Sequence, residues 1–179
     1  RDDVESRGLG DVYKRQVDYR GKIMDKNNIE RMQMNAEGFK AAANYLDQAI
    51  SKNGVFLGVY GPAYTANLAF ACELYLKQLL LLTGKKQIGH ELKSLYQYLN
   101  DDTKAQIKRA YEKKCEEFHA EVDNNVELRD LDSCLEAYNK AFEDWRYWYE
   151  GGKSSDCIGW KDFHILIETL DELIEKLIQ

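Results

Sequence analysis

ANLAFACELYLKQLLLLTG, residues 66–84, is the most apolar run in the chain. It contains Glu73, Lys77 and Gln78, so it is a poor match to the ~20 predominantly apolar residues of a membrane span. A helix buried in a soluble domain fits better. Gly61-Pro62 opens it, with Pro62 in the first turn, where a missing N–H costs nothing. Thr83-Gly84 stops it. The helix is apolar almost all round, which predicts that it is central and the most buried of the set.

Working outward, residues 26–52 place Ile29, Met32, Ala36, Phe39, Ala43, Leu46 and Ile50 at sustained three- and four-residue spacing, the mark of a long amphipathic helix. A short helix is expected from His90 to Leu99, with Leu92, Leu95, Tyr96 and Leu99 inward. Asp101-Asp102-Thr103 offers a cap for a charged helix reaching about Phe118. Leu128, Leu131, Leu135, Tyr138, Phe142, Trp145 and Tyr149 form one unbroken stripe, so a single helix is expected from Val126 to Tyr149, ended by Gly151-Gly152. A last helix carries Phe163, Leu166, Ile167, Leu170, Leu173, Ile174 and Leu177. No strand alternation and no internal repeat is visible. The expected architecture is all-α: one domain, an antiparallel bundle of five or six helices.

Composition agrees. The 179 residues suit one domain; 44% are apolar, and a single Pro beside 12 Gly argues against a turn-rich β protein. Lys and Arg number 25 against 31 Asp and Glu, a net charge of −6, so the chain as a whole is no strongly basic nucleic-acid binder. The first sixteen residues, RDDVESRGLGDVYKRQ, show neither periodicity. They resemble translated sequencing-adapter tails at the ends of some metagenomic reading frames; a native disordered N-terminus is the alternative. Residues 1–23 are accordingly set apart from a folded unit of 24–179. Residues 1–16 are neutral, so the net charge belongs to the rest.

No signal-peptide core is visible near the N-terminus, and a cytoplasmic location without membrane attachment is expected. Cys72, Cys115, Cys134 and Cys157 form no CxxC pair and no disulfide framework, so reduced thiols are expected. Cys115 and His119 stand four apart, as two ligands on one helix would, but no matching pair exists elsewhere, and no metal or cofactor is assigned. Gly-x-Gly-x-x-Gly, Gly-x-Ser-x-Gly, His-Glu-x-x-His and paired Glu-x-x-His are all absent, which disfavours most enzyme classes recognisable by motif.

A few residues stand out. Glu73 and Lys77 lie one turn apart within the most apolar helix; they either pair with each other or face a wet cleft. His90 follows Gly89 after a short link, either as a turn residue or facing Glu73. In Trp145-Arg146-Tyr147-Trp148-Tyr149-Glu150, Trp145 and Tyr149 belong to the core stripe. Arg146 and Glu150 lie on its edge. Tyr147 and Trp148 are left over, either stacking on a base, filling an interface or covered by another helix. Glu73, Lys77, His90, Arg146 and Glu150 form a candidate pocket, because charged groups on otherwise apolar helices mark functional clefts.

CELYLKQLLLLTGKKQIGHELKSLYQYL, residues 72–99, resembles the HEPN-domain family, whose members carry a Glu-x-x-x-Lys helix, a short loop and Gly-His-x-Leu. AFEDWRYWYE, residues 141–150, looks like the family's Arg-bearing helix. The resemblance follows helix order over most of 26–178. It implies a helical bundle, commonly a homodimer, often linked to RNA cleavage in toxin–antitoxin, phage-defence or stress systems. The nuclease members use Arg, four to six residues, then His. Here the positions that follow Arg146 at that spacing are Gly151, Gly152 and Lys153, and no Arg precedes His90, His119 or His164 at it.

The expectation is therefore a module degenerate as a nuclease, binding RNA, a nucleotide or a protein partner such as a cognate antitoxin. Two alternatives stand beside it. One is a metal-independent ribonuclease using Arg146 with His90 or Glu150. The other is a purely structural helical protein. The sequence does not decide whether the chain is an enzyme.

Overall fold

A computed structural model describes residues 26–53, 57–85, 88–121, 126–146 and 160–178, of which 26–27, 51–53, 57–58, 146 and 160 are described by their backbone alone. The expectations for residues 1–23 and for Tyr147, Trp148 and Glu150 lie outside the described residues. Within them the chain is all-α: α1 (Lys26–Asn53), α2 (Leu57–Leu82), α3 (Leu92–Tyr98), α4 (Asp101–Glu121), α5 (Leu131–Ala137), α6 (Ala141–Arg146) and α7 (Trp160–Ile178). No described helix is long and apolar enough to cross a membrane.

As its composition predicts, α2 is the hub. Leu68, Ala69, Ala71, Cys72, Tyr75, Leu76, Leu79 and Leu80 are all fully buried, and α1, α3, α6 and α7 pack around the helix. It begins one turn earlier than expected, at Leu57, so Pro62 sits in the second turn, and the Gly58 carbonyl lacks the proline N–H it would otherwise receive. It ends where expected. Lys85 N–H reaches the Leu80 carbonyl (2.7 Å) and Gly84 N–H the Leu81 carbonyl (3.0 Å), with Gly84 at φ +73°, a backbone conformation that suits glycine.

Polar ties fasten segments distant in sequence. Lys40 on α1 pairs with Asp171 on α7 at 2.6 Å. Arg129 pairs with buried Asp162 at the start of α7, at 2.8 Å, beneath the stacked rings of Tyr138 and Phe163, 4.0 Å apart. A third tie joins the Tyr64 hydroxyl on α2 to His164 Nε2 on α7.

The long helix expected from Val126 to Tyr149 does not form as one piece. Asp130 caps α5, its side chain accepting the Ser133 N–H, so the helix starts at Leu131. The chain then turns at residues 138–140 before α6. The turn frees Asn139 to cap a different helix. Its carbonyl accepts Leu92 N–H (3.1 Å) and its side-chain oxygen accepts Lys93 N–H (2.8 Å). Glu91, the residue preceding α3, makes no side-chain cap of its own. A continuous helix would have kept the stripe in register and left the first donors of α3 without these partners. Likewise α4 is capped by Asn100, whose side chain accepts Thr103 N–H at 2.7 Å, rather than by the residues after it.

Replacing Asn139 with Ala removes one of the two bonds at α3 and should lower stability by about 1 kcal/mol, the usual cost of a lost cap, read as an unchanged urea m-value with a lower midpoint. A second prediction concerns acid. Burial beside Tyr64 holds the His164 pKa below its ordinary value of 6.5; Asp47 and Glu168 pull it upward and Lys161 and Lys40 push it down, without overturning that direction. The unfolded chain therefore takes up this proton first. The contribution is intact above pH ~6.5 and is lost as pH falls toward the lower folded value. Urea midpoints between about pH 7.5 and 5.5 should fall with pH, and His164→Gln should flatten that dependence.

Candidate functional site

Glu73 occupies the middle of α2 and is 1% exposed. An isolated carboxylate there would cost several kcal/mol in lost hydration, so partners are required. Lys77, one turn on, supplies the first: its Nζ lies 2.7 Å from Glu73 Oε1. His90 supplies the second. Its Nδ1 stands 3.0 Å from both Glu73 oxygens, while its side chain remains 55% exposed. The carboxylate thus sits inside the fold, and the imidazole it holds reaches out.

The backbone between them makes this possible. After the glycine-ended stop of α2, Lys85 Nζ donates to the Tyr98 carbonyl at 2.8 Å and ties the returning chain to the end of α3. Gly89, at φ +129°, then turns His90 back against α2; a side chain at Gly89 would strain that turn. Behind the imidazole runs a row of rings. Phe142 of α6 has its centroid 6.2 Å from that of His90. It stacks on Phe70 of α2 at 4.9 Å, which meets Phe39 of α1 edge-on at 4.5 Å. The histidine is therefore set against a fixed aromatic wall by a buried anion.

A pocket of about 190 Å³ opens beside it, lined by Ile88, Gly89, His90, Glu91, Ser94 and Leu95. On its rim the Ser94 hydroxyl donates to the Glu91 carboxylate at 3.0 Å, and Lys140 lies 3.5 Å from the same group. Ile88 is 86% exposed. Deeper in, burial and the neighbouring Glu73 push the Cys72 thiol pKa well up, so Cys72 stays a protonated, inert core residue.

Chemically, a carboxylate facing Nδ1 fixes the proton there and leaves Nε2 of the neutral ring as an acceptor. The same imidazole, when protonated, is a cation held out from an otherwise neutral Glu–Lys pair. The neutral ring suits a proton to be accepted; only the protonated ring, with an Nε2–H to donate, suits an oxyanion.

Of the residues singled out from sequence, Glu73, Lys77 and His90 come together. Arg146 ends α6, one turn after Phe142, so its backbone stands ~6 Å further along that helix from the ring beside His90. Glu150, Tyr147 and Trp148 lie outside the described residues. Sequence reasoning missed Glu91, Ser94 and Ile88, because lining a pocket between a loop and a helix leaves no periodic signal. It also assigned Phe142 to the core alone; the ring is partly buried and serves the histidine as well. Among the described residues Cys115 and His119 meet no third ligand, and His119 Nε2 donates to the Val126 carbonyl at 2.9 Å.

Lys77→Met strands Glu73 without its cation and should lower stability by about 2–4 kcal/mol, whereas Glu73→Leu combined with Lys77→Met should restore most of it, since an apolar replacement of a buried ion pair is nearly neutral. Chemical denaturation of the single and double variants checks this.

Comparisons with family models, with curated proteins and with solved structures find no match to this chain. A role for the cluster rests on its geometry.

Proposed function

We propose that this chain is a HEPN-like helical module, degenerate as a nuclease, that binds RNA or a nucleotide through its phosphate at the His90 pocket. One observation carries the reading: an exposed imidazole fixed by a buried carboxylate, Glu73 to His90 Nδ1 at 3.0 Å, at the mouth of a pocket. A buried anion held against an exposed histidine serves the core poorly, since apolar packing at position 73 would need no partner. It serves a ligand well, because the ring is oriented before anything arrives. Arg146, whose backbone lies one turn beyond Phe142 on α6, is the further cation of the proposed site, and Arg suits phosphate contacts by its forked donors. The system it would act in is bacterial defence, a toxin–antitoxin pair or a stress response, as the resemblance implies.

The reading as a degenerate nuclease follows from the motif. In the nuclease members the Arg and His follow each other on one segment; here the histidine comes from the loop before α3 and the arginine from the end of α6. A second reading, an active ribonuclease with His90 as acid–base group, is favoured by the same Nδ1–carboxylate contact, which leaves Nε2 available for proton transfer.

Fluorescence anisotropy with short single-stranded RNA and with mononucleotides tests both. The wild type should bind without cleaving. His90→Ala and Arg146→Ala should each weaken binding about tenfold, or ~1.4 kcal/mol, with unchanged far-UV circular dichroism. Cleavage that vanishes in His90→Ala would establish the second reading. Absence of binding to either ligand class, or binding indifferent to both variants, would remove the site assignment.

A further inference from the structure

The chain has three histidines, and their Nε2 atoms are placed differently. His119 Nε2 donates to the Val126 carbonyl at 2.9 Å. His164 Nε2 is bonded to the Tyr64 hydroxyl. His90 turns Nδ1 inward, 3.0 Å from both Glu73 oxygens, and among the described residues nothing partners its Nε2. Its side chain is 55% exposed, and it lines the pocket at residues 88–95.

That is how a nitrogen nucleophile is prepared. With the proton held on Nδ1 by a carboxylate, the lone pair of the neutral ring lies on Nε2. When Nε2 forms a bond the ring becomes cationic, and the Glu73 anion, 1% exposed, stabilises that charge from 3.0 Å away. The surroundings suit an anionic reagent. The two acids nearest the ring already have lysines: Lys77 lies 2.7 Å from Glu73, and Lys140 lies 3.5 Å from Glu91. The Ser94 hydroxyl, which donates to Glu91 at 3.0 Å, is a rotatable donor that can turn to a reagent oxygen instead. The pocket, of about 190 Å³, has room for a small tetrahedral group.

We propose that His90 is a covalent modification site, its Nε2 accepting the phosphoryl group of a small phosphoramidate. The inference concerns the pocket of the preceding proposal and rests on that reading only in placing an anionic phosphoryl group beside His90. In the step, the Nε2 lone pair forms a new N–P bond. The donor's own P–N bond breaks, and its electron pair departs with the amine nitrogen, released as ammonia when the donor is inorganic phosphoramidate. Nothing is oxidised or reduced. Nδ1 keeps its proton, and Glu73 faces the cationic ring that results. The product carries a dianion where an incoming phosphate would bind, so the modification shuts the pocket to a second phosphate by like-charge repulsion.

Incubating the full chain with potassium phosphoramidate at neutral pH tests this, read by intact mass, peptide mapping and phosphorus NMR. The folded chain should gain one phosphoryl group, on His90 and as the Nε2 isomer, at least about tenfold faster than N-acetylhistidine under the same conditions. His119 and His164 should stay unmodified until urea unfolds the chain, when all three histidines should react alike. Glu73→Gln, with an unchanged far-UV circular dichroism spectrum, should lose at least about tenfold in rate. Should that variant fail to fold, the contrast between folded and urea-unfolded wild type decides. A folded wild type that takes no phosphoryl group on His90, takes it on Nδ1, or reacts there no faster than N-acetylhistidine overturns the proposal. So does a folded Glu73→Gln chain that reacts at the full rate. RNA anisotropy measured beside it separates the two readings. Phosphorylation of a chain that binds no RNA removes the preceding proposal and leaves this one; RNA binding that depends on His90, without phosphorylation, removes this one alone.

Discussion

Glu73 is a carboxylate that the fold has no packing reason to contain. At the middle of the most buried helix it must be matched by charge and hydrogen bonds, and the matching sets the local architecture. Lys77 lies one turn along the same helix and runs its methylenes over apolar surface with its amine at the acid. His90 has to come from another segment, which requires the chain to leave α2 at a glycine, turn back at a second glycine and present a ring to the same carboxylate. The described parts of this link, residues 84–85 and 88–90, lead to that one anion. The ring's position beside Phe142 then fixes how α6 lies against α2.

The surrounding helices divide the remaining work. α1 contributes an apolar inner face and, through Phe39, the far end of the aromatic row. α7 closes the other side and is held by polar ties to Lys40, Lys114, Arg129 and Tyr64. α4 is the solvated member, laced with Lys–Glu pairs on its outer surface and sealed inward by Ile107 and Tyr111. Such exposed pairs add little stability. The core cluster that joins the helices does most of it, and every described helix except the short α6 contributes at least two residues to that cluster.

Much of this was readable from spacing alone. The helical class, the central position of residues 66–82 and the inward faces of the first and last helices follow from three- and four-residue periodicity, because packing against a core imposes that period on any helix. The break at residues 138–140 was not readable, since Tyr138 and Phe142 keep the stripe intact across it. Periodicity reports which side faces the core and is blind to a turn that preserves the side. The signal was polar: Asn139 sits where a helix gains nothing from it and a neighbouring helix end gains two bonds. The cluster was partly readable in the same way. An acid and a base on an apolar helix called for partners, and the short link to His90 limited the choice. Glu91 and Ser94 left no such trace, because their meeting depends on how a loop lies over a helix.

The tie from Asn139 to α3 joins residues 46 or more positions apart. α3 has seven residues, fewer than the ~12–15 an isolated helix needs to persist in water. It exists because a later segment holds its first turn. The pocket at Ile88–Leu95 is therefore not a property of the stretch that lines it. During synthesis the residues of the pocket emerge first and wait for the α5–α6 turn, so the pocket is complete only after the second half of the chain has docked.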